Sequence, residues 1–164
     1  MLWRWRAAWY QARHSRSKPV RIDAALLCDA ATVREGLLHV LGAGVTRLYR
    51  SKLPAPLNVM FAVLIDVAPG EADTPHEVEL RFTGPQNQML GIVKGAFKAA
   101  RSDRCERDEH QLLPVVLDLR NAGATAYGGH LAKLRLDGGV DERQVEFWVQ
   151  HPDEKMLPPV QLPS

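Results

Sequence analysis

Six histidines, two cysteines and a few serines are the residues of this chain with the means to do chemistry, so their spacing is the first thing to weigh. The histidines are His14, His39, His76, His110, His130 and His151, and no pair shows H-x-H or H-x-x-x-H spacing. Zinc takes three or four nitrogen or sulfur ligands from compact clusters. The nearest approach to one is Cys105, Asp108 and His110 in a charged stretch, a set that reads more simply as solvated loop. No metal site and no cofactor is expected. Gly42-Ala43-Gly44 opens like a dinucleotide fingerprint, but position 47, where the third glycine belongs, is Arg47. No helix of useful length follows to present its N-terminus to a pyrophosphate. A nucleophile needs a base and an orienting group converging on it. The serines are Ser15, Ser17, Ser51, Ser102 and Ser164, and none stands in a Gly-x-Ser-x-Gly elbow. Glu77 and Glu79 share one face of a candidate strand beside Arg81, the usual look of a solvent-facing surface. No catalytic residue is assigned, and the balance leans against an enzyme.

Aromatic residues offer recognition instead. Trp148 alternates outward with Glu146, while Phe147 and Val149 point inward. Tryptophan is enriched where partners bind, so Trp148 is a candidate contact; the rival reading has Leu157 and Val160, or the leader, cover it. Trp3, Trp5 and Trp9 form a second candidate contact in a leader that also carries Arg4, Arg6, Arg13, Arg16, Lys18 and Arg21 and no acid. Arg4 and Arg6 interrupt any secretory apolar core. A cationic, Trp-rich segment suits anionic lipid or nucleic acid; a tail without structure, or a start placed too early, suits the same residues.

Beyond residue 21 lie the other 15 of the 21 basic residues and all 19 acidic ones, so the body is mildly acidic and lacks a broad cationic face for phosphate. The 164 residues are 46% hydrophobic and 24% charged, which excludes collagen, coiled coil and acidic disorder. No run is long and apolar enough for a spanning helix. Cys28 sits in an apolar run and reads as a small core residue; with Cys105 it is expected as a free thiol in a reducing cytosol.

The elements that must position these residues follow from alternation. Runs of β-branched, Leu and Phe residues recur every ten to fifteen positions between Pro, Gly, Asn and Asp clusters, the spacing of an all-β sandwich or barrel. Strands are predicted over 21–28, 37–50, 57–67, 76–82, 89–99, 112–119, 130–136 and 144–150. Gly42 and Gly44 mark a bend in the long second strand, where the chain crosses between sheets. Thr32-x-x-Glu35 has the form of a capping box and predicts one helical turn before Gly36. His39, alternating with Leu37 and Leu41, is expected to be structural, as is His130 at a strand end. Pro114 marks either a sheet edge or the start of its strand.

Ala25-Leu26-Leu27-Cys28-Asp29-Ala30-Ala31-Thr32-Val33-Arg34-Glu35-Gly36-Leu37-Leu38-His39-Val40-Leu41-Gly42 resembles a bacterial family of unknown function, common in actinobacteria. Pro54-Ala55-Pro56-Leu57, Pro75-His76 and the Asp137-Gly138-Gly139 hairpin are similar too. The resemblance spans about residues 21–150 and implies a single small β protein, with no activity or site attached. The expectation is an antiparallel two-sheet β-sandwich of about eight strands, Ig-like or C2-like, over residues 20–151. A basic N-terminal extension (1–19) precedes it and a Pro-rich tail (152–164) follows. Its expected role is a non-catalytic cytoplasmic protein-binding or assembly module, with self-association through a sheet edge open to it. A small enzyme or ligand binder using His76, Cys105 or His110 at the sandwich end is the first alternative. Membrane or nucleic-acid contact through residues 1–21 is the second.

Overall fold

The structure is a computed structural model that describes residues 18–100 and 109–153. The described chain is all-β, its only helical pieces being two three-residue 3-10 turns, Pro69–Glu71 and Pro85–Asn87. Twelve strands follow one another among the described residues. They are β1 (Val20–Cys28), β2 (Ala30–Arg34), β3 (Leu37–Leu41), β4 (Arg47–Tyr49), β5 (Ala55–Pro56), β6 (Met60–Val67), β7 (Pro75–Thr83), β8 (Met89–Lys98), β9 (Gln111–Asp118), β10 (Gly123–Ala124), β11 (Gly128–Leu136) and β12 (Asp141–Gln150). They form a three-stranded sheet in the order β1-β6-β9, a five-stranded sheet in the order β4-β12-β11-β7-β8, and two small pairs, β10-β5 and β2-β3. Every pairing is antiparallel except β4 with β12.

β6 is the central strand of the smaller sheet, as its unbroken apolar run requires. Phe61, Val63, Ile65 and Val67 are buried on one face; on the other Ala62 is buried while Met60 and Leu64 are partly covered. The strand begins at Met60 rather than at residue 57, because Asn58 takes a positive φ of 53° and turns the chain. Leu57 and Val59 are buried all the same. β7 alternates as its sequence dictates, with Val78, Leu80 and Phe82 buried. One core cluster joins these side chains to Leu134, Leu136 and Phe147 of the larger sheet. Pro114 lies in β9, the outermost strand of its sheet, where a missing N–H breaks no ladder.

The chain does cross between sheets at Gly42 and Gly44, but three expectations fail around that crossing. The long strand over 37–50 is two strands in different sheets, β3 and β4, with Gly42 and Gly44 at φ 62° and 84° between them. The amides of Gly44 and Val45 both donate to the carbonyl of Leu27, at 2.9 and 3.1 Å, which turns the chain toward the larger sheet. The capping box at Thr32-x-x-Glu35 starts no helical turn. Glu35 and Gly36 take φ values of 53° and 74°, the sign pattern of a primed two-residue hairpin turn, so residues 30–41 close into the β2–β3 hairpin. His39 is not a packed structural residue either; it is exposed on β3. Smaller differences concern ends: β1 starts at Val20, and the stretch 121–129 contains the short β10.

Asp141 ties the two larger sheets together. Its Oδ2 accepts the amide of Ile22 on β1 at 2.7 Å, and its Oδ1 receives the Lys18 ammonium. Burial pushes this carboxyl up, but the Lys18 ammonium and the amides of Ile22 and Glu142 together hold it below the ordinary carboxylate range. A carboxyl that ionises lower in the fold than in the unfolded chain adds stability above its unfolded pKa, and that stability is lost as the pH falls through its folded one. We expect Asp141→Asn to be less stable than the native chain near about pH 6 and for the gap to shrink by about pH 3. Urea midpoints at both pH values check this; a gap that stays constant removes the ionic part of the account.

Candidate functional site

The β2–β3 hairpin stands apart from the rest of the molecule in what it shows to solvent. Along it, Val33, Leu37, Val40 and Leu41 are 42%, 62%, 36% and 70% exposed. The register, Ala30 opposite Leu41, Thr32 opposite His39 and Arg34 opposite Leu37, puts those six residues on one face of the ribbon. Ala31, Val33, Leu38 and Val40 take the other. Ala31 and Leu38 are partly buried, and the amide of Ala31 lies 3.1 Å from the Met60 sulfur on β6. Thus one ribbon face and the outer edge of β2 are turned to the body, while Leu37, His39 and Leu41 look outward. A shallow apolar cavity of about 240 Å³ lies along Ala31, Thr32, His39 and Leu41. Its walls bring no acid or base beyond the His39 imidazole, so it can shield apolar groups from water but has no means to polarise a bond.

Trp148, singled out from the sequence, is 50% exposed on β12. It pairs across the ladder with Gly129, and its ring lies 3.7 Å from where a β-carbon at Gly129 would stand. The indole therefore covers a residue that has no side chain of its own. It borders a groove of about 340 Å³ whose opposite rim is Pro85, Gln86 and Asn87. Beneath, His130 is buried and stacked on Phe147 with ring centres 5.2 Å apart. Its Nδ1 donates to the Gly128 carbonyl at 3.0 Å. Trp3, Trp5 and Trp9 lie outside the described residues, as do Cys105, Asp108, Leu157 and Val160.

The two described histidines proposed for an alternative site each face a different carboxylate. His110 sits 2.8 Å from Asp66, which also receives Arg21 at 2.8 Å. His76 is 4% exposed and its Nδ1 donates to Asp137 Oδ2 at 2.8 Å, while Asp137 Oδ1 accepts the Glu77 amide at 2.7 Å. A carboxylate that holds imidazole in one tautomer is half of a catalytic triad. Here the neighbour of Nε2 is Glu71 Oε2 at 3.8 Å, not a hydroxyl or thiol. The pair instead latches the start of β7 to the turn after β11, where Asp137 itself has φ 44°. Composition hid this latch, since sixty-one positions separate the two residues.

Glu77 and Glu79 line a groove of about 510 Å³ on the outer face of the larger sheet with Arg81, Lys94 and Arg135. Glu79 contacts Arg81 at 2.5 Å and Lys94 at 3.2 Å. The hydrogen bond from Arg81, with help from Lys94, holds its carboxyl below the usual range. General acid work at neutral pH needs a shift the other way, so Glu79 with Arg81 and Lys94 forms a surface ion network. Cys28 is buried with its sulfur 3.5 Å from the Met60 carbonyl, and burial, then the charge of Asp29, pushes the thiol up. Nucleophilic thiols need the opposite environment. Among the described residues no three His, Cys, Asp or Glu side chains gather as a metal site, and no helix is long and apolar enough to cross a membrane.

Residues 23–149 match the model of a family of unknown function (DUF6941). No curated protein matches the chain.

Proposed function

Starting from a chain that belongs to the DUF6941 family of unknown function, we propose a protein-binding or assembly module that works without catalysis. The observation that carries this reading is the exposed β2–β3 hairpin. Large apolar side chains scattered singly over a surface are ordinary, but Leu37 and Leu41 stand 62% and 70% exposed together on the outward face of one ribbon, which favours a surface that a partner covers. Trp148 is proposed as a further contact, since its half-exposed ring offers a rigid apolar surface with one hydrogen-bond donor. Residues 20–151 are proposed to act as one domain in which the three- and five-stranded sheets face each other as an Ig-like or C2-like sandwich; the shared core supports this. A bacterial, largely actinobacterial, source and a cytoplasmic location complete the proposal; the first rests on the resemblance of residues 25–42, the second on the free-thiol reading of the cysteines.

The double variant Leu37→Asp, Leu41→Asp tests the reading. Both side chains are exposed, so melting should move little, whereas an apolar interface centred on them should weaken at least about tenfold. Immobilised native and variant chains are compared for saturable capture from an extract of the source cells, with melting temperature measured alongside. Equal capture by two equally stable proteins would sink the hairpin as a binding surface.

A further inference from the structure

We propose that the partner of the β3 edge is a second copy of this chain, the two hairpins joining as one four-stranded antiparallel sheet about a two-fold axis at His39. This rests on the reading of the hairpin as a protein-binding surface and names what it binds.

The first support is the direction of the backbone groups. A two-residue turn at Glu35-Gly36 makes Arg34 and Leu37 the first pair to exchange backbone hydrogen bonds. Alternation then makes Thr32 with His39 the next such pair, and turns the N–H and C=O of Leu38 and Val40 away from β2. Ala31 belongs to the outward-turned class on β2, and its amide does point out of the ribbon, to the Met60 sulfur. The outer edge of β2 therefore meets the body, and the outer edge of β3 faces the other way. Among the described residues no strand pairs with it.

The second support is the contrast with the other sheet edges. Proteins blunt exposed edges with lysine, proline or brevity. β8 carries Lys94 and Lys98, β9 carries Pro114, β4 is three residues long, and β1 carries Arg21 and Asp23 and has its Ile22 amide taken by Asp141. β3 reads Leu-Leu-His-Val-Leu, with no charge and no proline.

The third support is that this segment matches itself. Antiparallel pairing centred on His39 sets Leu38 opposite the partner's Val40, and Val40 opposite the partner's Leu38. Those are the residues whose backbone groups point outward, so four new backbone hydrogen bonds form and none of these groups is left over. Leu37 then meets the partner's Leu41 in a non-hydrogen-bonded pair, the arrangement in which cross-strand side chains approach most closely. These are the two most exposed large apolar residues of the hairpin. No Asp, Glu, Lys or Arg of β3 opposes its own copy, and at the axis His39 faces His39. Five residues a side is less than a permanent dimer buries, so the association is reversible and depends on concentration.

The two-fold register is tested by cross-linking. At the axis the two His39 Cα atoms are about 4.5 Å apart, the spacing of a non-hydrogen-bonded pair and within reach of a disulfide. In full-length chain carrying Cys105→Ser, His39→Cys should oxidise mainly to a disulfide-linked dimer. Thr32→Cys, beside His39 on β2 but one strand further from the axis, should stay largely monomeric. Native chain should shift from monomer to dimer in sedimentation velocity between about 10 µM and about 1 mM, and Val40→Pro, which removes an outward N–H, should not. Equal cross-linking at positions 32 and 39, or a monomer throughout that range, overturns the pairing. If the Leu37→Asp, Leu41→Asp chain nevertheless loses a captured protein, the binding reading stands while its self-recognising form falls.

Discussion

Phe61→Ala should lower the stability of the protein by about 3–5 kcal/mol, the largest effect of any single truncation considered. Phe61 is wholly buried at the start of the central strand β6, between Leu27 on β1 and Leu117 on β9. Truncation removes the transfer energy of the ring and leaves a hole that a strand paired on both sides is poorly placed to close. In a chain of this size each kcal/mol lowers the melting temperature by about 2–4 °C. Phe61→Leu keeps most of the volume and should cost about 1–2 kcal/mol. Urea unfolding of both variants measures the pair. If alanine costs no more than leucine, β6 is not the centre of the core. The same strand holds Met60 against Ala31, so a loosened β6 should also free the hairpin to exchange its amides faster.

Asp137→Ala should cost about 2–4 kcal/mol, far more than its place in a surface turn suggests. The carboxylate accepts from the His76 ring and from the Glu77 amide. Removing it leaves a buried imidazole N–H with no acceptor, and stranding a buried donor costs more than the bond itself contributed. Asp137→Asn keeps one carbonyl oxygen and should lose about half as much. Replacing both ends, His76→Phe with Asp137→Ala, should recover part of the loss, because the stranded group is gone and the new ring can pack on Phe97. A double-mutant cycle by chemical denaturation reads this directly. Additive losses would show that the two residues do not act as a unit, and the latch would have to be abandoned.

Much of the body was legible because strand alternation is local. Val78, Leu80 and Phe82 are buried as their spacing requires, β6 is central as its two apolar faces require, and Pro114 stands at an edge. Trp148 was legible as outward for the same reason. The hairpin at 30–41 was not. Thr32 and Glu35 have the side chains of a helix start, yet the positive φ at Glu35 and Gly36 makes a primed turn, and glutamate carries no sign that it will accept one. The apolar stretch 37–41 promised burial and found it only in part at Leu38, because the chain turns away at Gly42 before the other side chains reach a second layer.

By itself the order of residues determined that the described body is all-β and which faces most of its strands bury. Those properties depend on neighbours one or two positions away, where pleat and turn chemistry act. Tertiary structure alone decided that Leu37, His39 and Leu41 are exposed, that Asp137 finds His76, and that no described strand pairs with the outer edge of β3. Each of these depends on where distant segments come to rest, and hydrophobicity favours burial without saying which apolar run will be left outside.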